Sequence, residues 1–191
     1  AGAGAGGIAS TKLLLDHGAK QVILVDSVGI ISRDRTDLTA VKSAMLGTTN
    51  LDNLSGGIAD AMRGADVFIG LAAGDMVSPE MVTSMAKDSI VFAMANPIPE
   101  IWPDLAKAAG AAVVGTGRSD FPNQVNNSLV FPGVFRGALD CHATKVTTEM
   151  KLAAAEGLAA MIVEPTAENV LPWSLDPEVA RTVAKAVSDA A

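Results

Sequence analysis

Ala1-Gly2-Ala3-Gly4-Ala5-Gly6-Gly7 runs without a break into Ile8-Ala9-Ser10-Thr11-Lys12-Leu13-Leu14-Leu15. Gly2, Gly4 and Gly7 have the spacing G-x-G-x-x-G, and the residues after them read as a helix to about His17, stopped by Gly18. In a turn of this kind the first glycine permits the tight bend and the second lets backbone approach a pyrophosphate. The third lets the helix pack closely on a sheet, and the helix N-terminus faces the phosphates. Gly2, Ala3, Gly4, Ala5 and Gly6 are therefore the candidate pyrophosphate-binding residues. A strand is expected ahead of such a turn, and the sequence opens without one. The reading expects a piece of a longer protein, with the first strand of its sheet missing.

The next segment supports the turn. Gln21-Val22-Ile23-Leu24-Val25 is short, apolar and rich in β-branched residues, which predicts a buried parallel strand. Asp26 closes it, 22 residues after Gly4, near the spacing at which an acid hydrogen-bonds the adenosine ribose of a dinucleotide. The plainer reading of Asp26 is a strand-ending turn residue. No Lys or Arg immediately follows Asp26, and a carboxylate repels a 2′-phosphate, so NAD is favoured over NADP. NADP stays possible, because Arg33, Arg35 or Lys42 can fold back toward a phosphate.

Further along, strands and helices alternate. Strands are predicted at Asp66–Leu71, Ser89–Ala95 and Ala111–Thr116, with helices at 38–46, 55–63, 78–87 and 103–109 between and before them. Ser78-Pro79-Glu80 is a helix start by cap, first-turn proline and acid near the positive end. Helices follow from about Pro132, Thr147 and Asp176. The alternation is that of an α/β, Rossmann-type doubly wound parallel sheet with C-terminal helices. The expected division is a dinucleotide-binding domain over 1–145 and a helical extension over 146–191 packing on the same domain. In such sheets ligands bind outside the carboxyl ends of the strands. Ala72, in the small-residue loop Ala72-Ala73-Gly74, leaves room for a cofactor there. Asn96 emerges from the next strand just where Pro97 and Pro99 pin the backbone. Its plainer reading, shared with Asn127, is loop capping.

Bulk properties narrow the function. The 191 residues suffice for one good-sized domain, and with 18% charged residues the chain is not a disordered one. A net charge of −7 argues against nucleic acid or an anionic membrane as partner, and no apolar run approaches a membrane span. A single cysteine, Cys141, gives no disulfide framework and points to the cytoplasm. His17 and His142 are far apart in sequence, so no metal-ligand cluster is legible.

Taken together, these stretches resemble the NAD(P)-binding domain of the malic enzymes, in their compact bacterial form. The resembling residues are the glycine turn, Val25-Asp26-Ser27, Gly64 to Gly70, Ser78 to Val82, Ala95-Asn96-Pro97, Gly117 to Asn127 and Phe131 to Asp140. The Asn126-Asn127 to Phe131-Pro132-Gly133 block is the most specific of them. The resemblance implies oxidative decarboxylation of malate to pyruvate and CO2 with NAD or NADP. It implies that Asn96 sits where nicotinamide and substrate meet, and that Asn127, with Asn126 beside it, contacts the nicotinamide side or the malate carboxylate. It also implies a homodimer. In that family the general acid is a tyrosine, and this chain contains none. The catalytic lysine and the carboxylates that hold Mg or Mn also belong upstream of the glycine turn. No catalytic residue and no metal ligand is therefore expected within this chain, and an N-terminal catalytic domain is the expected partner. Two other readings stay open: another Rossmann dehydrogenase, and a non-catalytic nucleotide-binding regulatory module.

Overall fold

Three short apolar segments form one parallel sheet in the order β1-β2-β3: β1 (Val67–Gly70), β2 (Ile90–Ala93) and β3 (Val113–Thr116). The computed structural model describes residues 1–191. It divides into two units, Ala1–Thr116 and Gly117–Ala191. In the first, Val67 pairs with Ile90 and Ile90 with Val113, a separation of 23 residues each time. Helices form the crossovers: α4 (Pro79–Thr83) between β1 and β2, and α5 (Pro103–Ala108) between β2 and β3. Ahead of the sheet lie α1 (Ala5–Asp16), α2 (Ala40–Met45) and α3 (Ile58–Met62). Phe68, Val91, Ala93 and Val114 from the strands are buried with Met62, Val82, Met85, Ile101 and Ala106. A second cluster, Ala3, Ile8, Leu24, Ile31 and Met45, packs the glycine turn and α1 onto the segment that follows. This is the α/β, Rossmann-like architecture that the alternation predicts.

Two expectations need correction. Gln21–Val25 is not a strand; only a single antiparallel bridge, Val25 to Ile30, is formed there. On one side Val22 O accepts from Asn50 N at 2.8 Å and Leu24 O from Ile31 N at 2.8 Å. On the other, only Val25 O is met, by the amides of Gly2 (2.8 Å) and Ala3 (3.1 Å). A parallel strand needs a ladder neighbour, and between this segment and β1 there is a cleft of about 470 Å³ lined by Val22, Ile23, Val67 and Ile69 among others. At one end of the cleft Ala1 touches β1, its amine donating to Ile69 O at 2.6 Å and its carbonyl accepting from Leu71 N at 3.0 Å. The second correction is α4, which stops at Thr83 instead of running to about Lys87. Ser84 gives its carbonyl to Gly64 N (2.8 Å) and Ala86 N donates to Ala65 O (3.0 Å), so the chain leaves the helix to bond with the segment ahead of β1.

Ser78 caps its helix as expected, and Thr147 and Asp176 do the same for the helices that start at them. The Ser78 hydroxyl accepts from Met81 N, Thr147 from Met150 N, and the Asp176 carboxylate from Glu178 N. The second unit holds α6 (Phe131–Asp140), α7 (Thr148–Ala160) and α8 (Pro177–Asp189), preceded by one 3-10 turn, Asn127–Leu129. Leu129, Met150, Ala154, Leu158, Val179, Val183 and Val187 form its core. A Cβ at Gly137 would stand 2.4 Å from the Ala184 carbonyl oxygen, so α6 meets α8 at backbone distance. No helix is long and apolar enough to cross a membrane.

Candidate dinucleotide site

The glycine turn is built by two tight contacts and one open position. Gly2 has φ +93°, and a Cβ on it would lie 2.4 Å from Leu71 O. A Cβ on Gly7 would lie 2.0 Å from Gly2 O. Neither position accepts a side chain. At Gly4 the opposite holds: nothing stands within 4 Å of the place a methyl group would take, and the same is true of Gly6. Gly4 N donates to Gly2 O (2.7 Å), and Ile8 N is the first amide to bond back into the turn, to Gly4 O at 3.0 Å. Gly4 caps α1 without a side-chain acceptor, and no acid occupies the first turn. The amides of Ala5, Gly6 and Gly7 are thus the orphan donors of a 12-residue helix, at its partly positive end.

Asp26 stands one residue beyond the carbonyl that holds this turn. Its side chain is 6% exposed. Oδ1 accepts from Val28 N (2.9 Å), Gly29 N (3.2 Å) and Arg35 Nη1 (2.7 Å). Oδ2 accepts from Arg35 Nη2 (3.2 Å) and Lys42 Nζ (2.5 Å). Burial pushes this carboxyl up, but the Arg35 guanidinium, the Lys42 ammonium and the two amides outweigh it and hold the group well below the usual carboxylate range. Arg35 also bonds Asp37, Nη2 to Oδ2 at 2.5 Å, and these two carboxylates hold the guanidinium pKa well above its ordinary value. Two acids and two cations therefore alternate around one spot, with no net charge. The sequence places Arg35 and Lys42 within reach of a phosphate; in the structure both are turned onto Asp26.

The loops at the carboxyl ends of β1 and β2 meet on a buried acid. Glu100 is 0% exposed; its Oε1 accepts from Ala72 N at 2.9 Å and its Oε2 from Ala95 N at 3.0 Å. Ala72 and Asn96 are exposed and flank this contact, and the Asn96–Pro97 peptide is cis. A continuous line results within the first unit. It runs from Asp26 through Val25 to the glycine turn, from Gly2 to Leu71 and Ala72, and through Glu100 to Ala95 and Asn96.

Asn126 and Asn127 belong to the second unit. Asn126 Oδ1 accepts from Ser128 N at 2.9 Å and so caps the 3-10 turn, while Asn127 is exposed. Arg118 forms a bidentate pair with Asp120, Nε and Nη2 at 2.8 and 2.7 Å. Asn123 braces the same loop against the Pro165–Pro172 connection by taking Val170 N and giving to Ala167 O. No group of three or more His, Cys, Asp or Glu side chains is placed to hold a metal ion.

Residues 1–191 match the family described as malic enzyme, NAD binding domain. The chain belongs to the malic enzyme family. The bifunctional malic/malolactic enzyme of Bacillus subtilis (strain 168) is 52% identical over 193 residues, covering 100% of this chain and 47% of that protein. The NAD-dependent malic enzyme of Geobacillus stearothermophilus is 48% identical, covering 100% of this chain and 40% of that one. The crystal structure of an NAD-dependent malic enzyme from Thermotoga maritima superposes with a TM-score of 0.95 at 43% identity, covering 100% of this chain and 50% of the other. The chain thus spans about half the length, or less, of these malic enzymes.

Within this malic enzyme domain the motifs pointed to the turn, Asp26, Ala72 and Asn96, which the fold brings into one line. They did not point to Glu100. The available signal was an acid inside the otherwise apolar run Pro97-Ile98-Pro99-Glu100-Ile101, where a surface charge would be out of place.

Proposed function

We propose that this chain is the dinucleotide-holding part of a malic enzyme, and that the whole protein oxidatively decarboxylates malate to pyruvate and CO2 with NAD or NADP. The observation that carries the reading is the contrast within the turn. Gly2 and Gly7 are glycine because the fold itself leaves no space, whereas Gly4 faces open space beside unpaired helix amides. Glycine at Gly4 has no packing reason and a good binding reason, since a pyrophosphate needs close backbone approach there.

In this reading the pyrophosphate lies over Gly2, Ala3, Gly4, Ala5 and Gly6 and is held by the first-turn amides of α1. The adenosine ribose reaches Asp26, and the nicotinamide extends past Ala72 to Asn96. Asn126 and Asn127, in the second unit, are the candidates for the nicotinamide or malate side that the family resemblance implies. When bound, the cofactor accepts the hydride that leaves the malate carbon bearing the hydroxyl. Uncharged Asn amides suit the junction, because they donate to a carboxylate and accept from a carboxamide without repelling either.

The residues of this chain do not fit a divalent metal, and there is no tyrosine to act as general acid. This reading gives both roles to the remainder of the whole protein, and the 191-residue chain alone does not turn over malate. NAD is favoured by the charge of Asp26. NADP is accommodated if Lys42, 2.5 Å from Asp26 Oδ2, turns to a 2′-phosphate. Relatives named for each cofactor stand close together: the NADP-dependent malic enzyme of Halomonas elongata is 44% identical, beside the NAD-dependent one of Geobacillus stearothermophilus at 48%.

Gly4→Ala tests the reading. Urea unfolding should shift by no more than about 1 kcal/mol, the scale of a change at a helix N-cap, while the Kd for NAD(P) should rise at least about ten-fold, roughly 1.4 kcal/mol. Unchanged affinity in the folded variant would remove the pyrophosphate from this turn.

A further inference from the structure

We propose that Glu100 is a positioning residue for the nicotinamide half of the site: its carboxylate clasps the loop after β1 to the loop after β2 and so sets where Asn96 stands. The inference rests on the dinucleotide reading and goes beyond it by giving a role to a residue that touches neither cofactor nor substrate.

The geometry is that of a two-pronged bridge. Each carboxylate oxygen takes one backbone amide from a different loop, Ala72 N at 2.9 Å and Ala95 N at 3.0 Å. The backbone of the same segment adds two more ties to the first loop, Asp75 N to Pro99 O and Val77 N to Glu100 O, both at 2.9 Å. β1 is cut away to admit the carboxylate: a Cβ at Gly70 would stand 2.4 Å from Glu100 Cδ and 2.6 and 2.7 Å from its oxygens. Burying an acid is costly, and here only the two amides it satisfies offset that cost, so the clasp stabilises the two loops as well as placing them.

What the acid achieves is placement. Asn96 lies between Ala95, whose amide Glu100 holds, and Pro97, whose ring has no amide and restricts φ. With both neighbours constrained, the Asn96 side chain leaves the backbone from a fixed point. A carboxylate is required because it accepts at both oxygens. A glutamine of the same length accepts at one and presents an NH2 to the other amide, leaving that donor unpaired.

The test uses the complete protein with Glu100→Gln, Asn96→Ala and the double variant. ADP-ribose, which is NAD without its nicotinamide, should bind E100Q within two-fold of the unmodified protein, while kcat falls at least ten-fold. In the N96A background, adding E100Q should lower kcat by less than a further two-fold, because the clasp acts through Asn96. Independent, multiplicative losses overturn the proposal, as does an unchanged kcat or a parallel loss of ADP-ribose affinity. Should E100Q fail to fold, amide exchange in the unmodified protein decides. Protection of Ala72 and Ala95 comparable to the interior of β2 supports the clasp, and exchange as fast as in exposed loops overturns it. An unmodified protein that binds neither ADP-ribose nor NAD(P) overturns the dinucleotide reading and this proposal together, whereas intact binding with multiplicative losses overturns the proposal alone.

Discussion

Arg35 reaches Asp26 with both arms of its guanidinium, Nη1 2.7 Å from Oδ1 and Nη2 3.2 Å from Oδ2. The pair holds the Asp26 carboxyl far below its ordinary value despite burial. A carboxyl depressed by folding contributes stability that is complete above its unfolded pKa, about 3.9, and is lost as pH falls through the folded value. The expected outcome is that urea midpoints of the unmodified chain decline from about pH 4 downward more steeply than those of Asp26→Asn. At pH 7 the substitution should cost about 2 kcal/mol, because Lys42 and part of the Arg35 fork lose their buried acceptor. Parallel curves for the two proteins would contradict this account of Asp26.

Lys42 is the movable member of that cluster, with 24% of its side chain exposed against 13% for Arg35. If it serves a 2′-phosphate, Lys42→Ala should weaken NADP about ten-fold and NAD by less than about three-fold, the difference expected from one charge-assisted hydrogen bond. Paired Kd titrations read it directly. Equal losses for the two cofactors would mean that Lys42 supports Asp26 and does not select.

Gly7→Ala should behave unlike Gly4→Ala. Its methyl would lie 2.0 Å from Gly2 O, a contact with backbone that no rotamer relieves. Overpacking of this kind costs about 1–3 kcal/mol or more. The unfolding free energy should fall by that amount whether or not dinucleotide is present, where Gly4→Ala lowers it less.

The cleft beside β1 makes a prediction of its own. Asp66 and Gly70 carbonyls serve β2, accepting from Ile90 N (2.9 Å) and Met94 N (3.2 Å), which turns the backbone of Val67 toward the cleft. Ile23 faces it from the other wall, since Val22 and Leu24 are engaged with Asn50 and Ile31. In the complete protein a strand lying between them would pair with both. Their amides should then exchange on the order of 100-fold more slowly than in the 191-residue chain. Equal exchange in the two would leave the cleft to some other use.

Much of this fold was legible because its signals are local. β1, β2 and β3 announce themselves as short apolar runs alternating with helical stretches, and Ser78 caps the helix it precedes. What was not legible depends on distant neighbours. Gln21–Val25 has the composition of a strand, yet strandhood is a property of a pair, and what lies between it and β1 is a cleft. The α4 helix shortens because Ser84 and Ala86 find acceptors and donors at Gly64 and Ala65. In the candidate site the turn and Asp26 were readable from spacing. The charged donors that occupy Asp26 lie 9 and 16 residues further on and arrive only through the fold. Glu100 was hidden for the same reason, its two partners being brought together by adjacent strands.

The equal spacing of the strands bears on the order of assembly. β1, β2 and β3 pair across 23 residues at each step, while Ala1 meets Ile69 across 68. Loop-closure entropy makes the longer connection costlier by about 1 kcal/mol. During synthesis the three strands can zip up in succession, each as soon as the next crossover has emerged, whereas the glycine turn, which closes on Val25 across 23 residues, reaches β1 only from far away in the chain. The part of the molecule proposed to face the nucleotide thus matures on a scaffold that can already have formed, and building that scaffold calls for no cofactor.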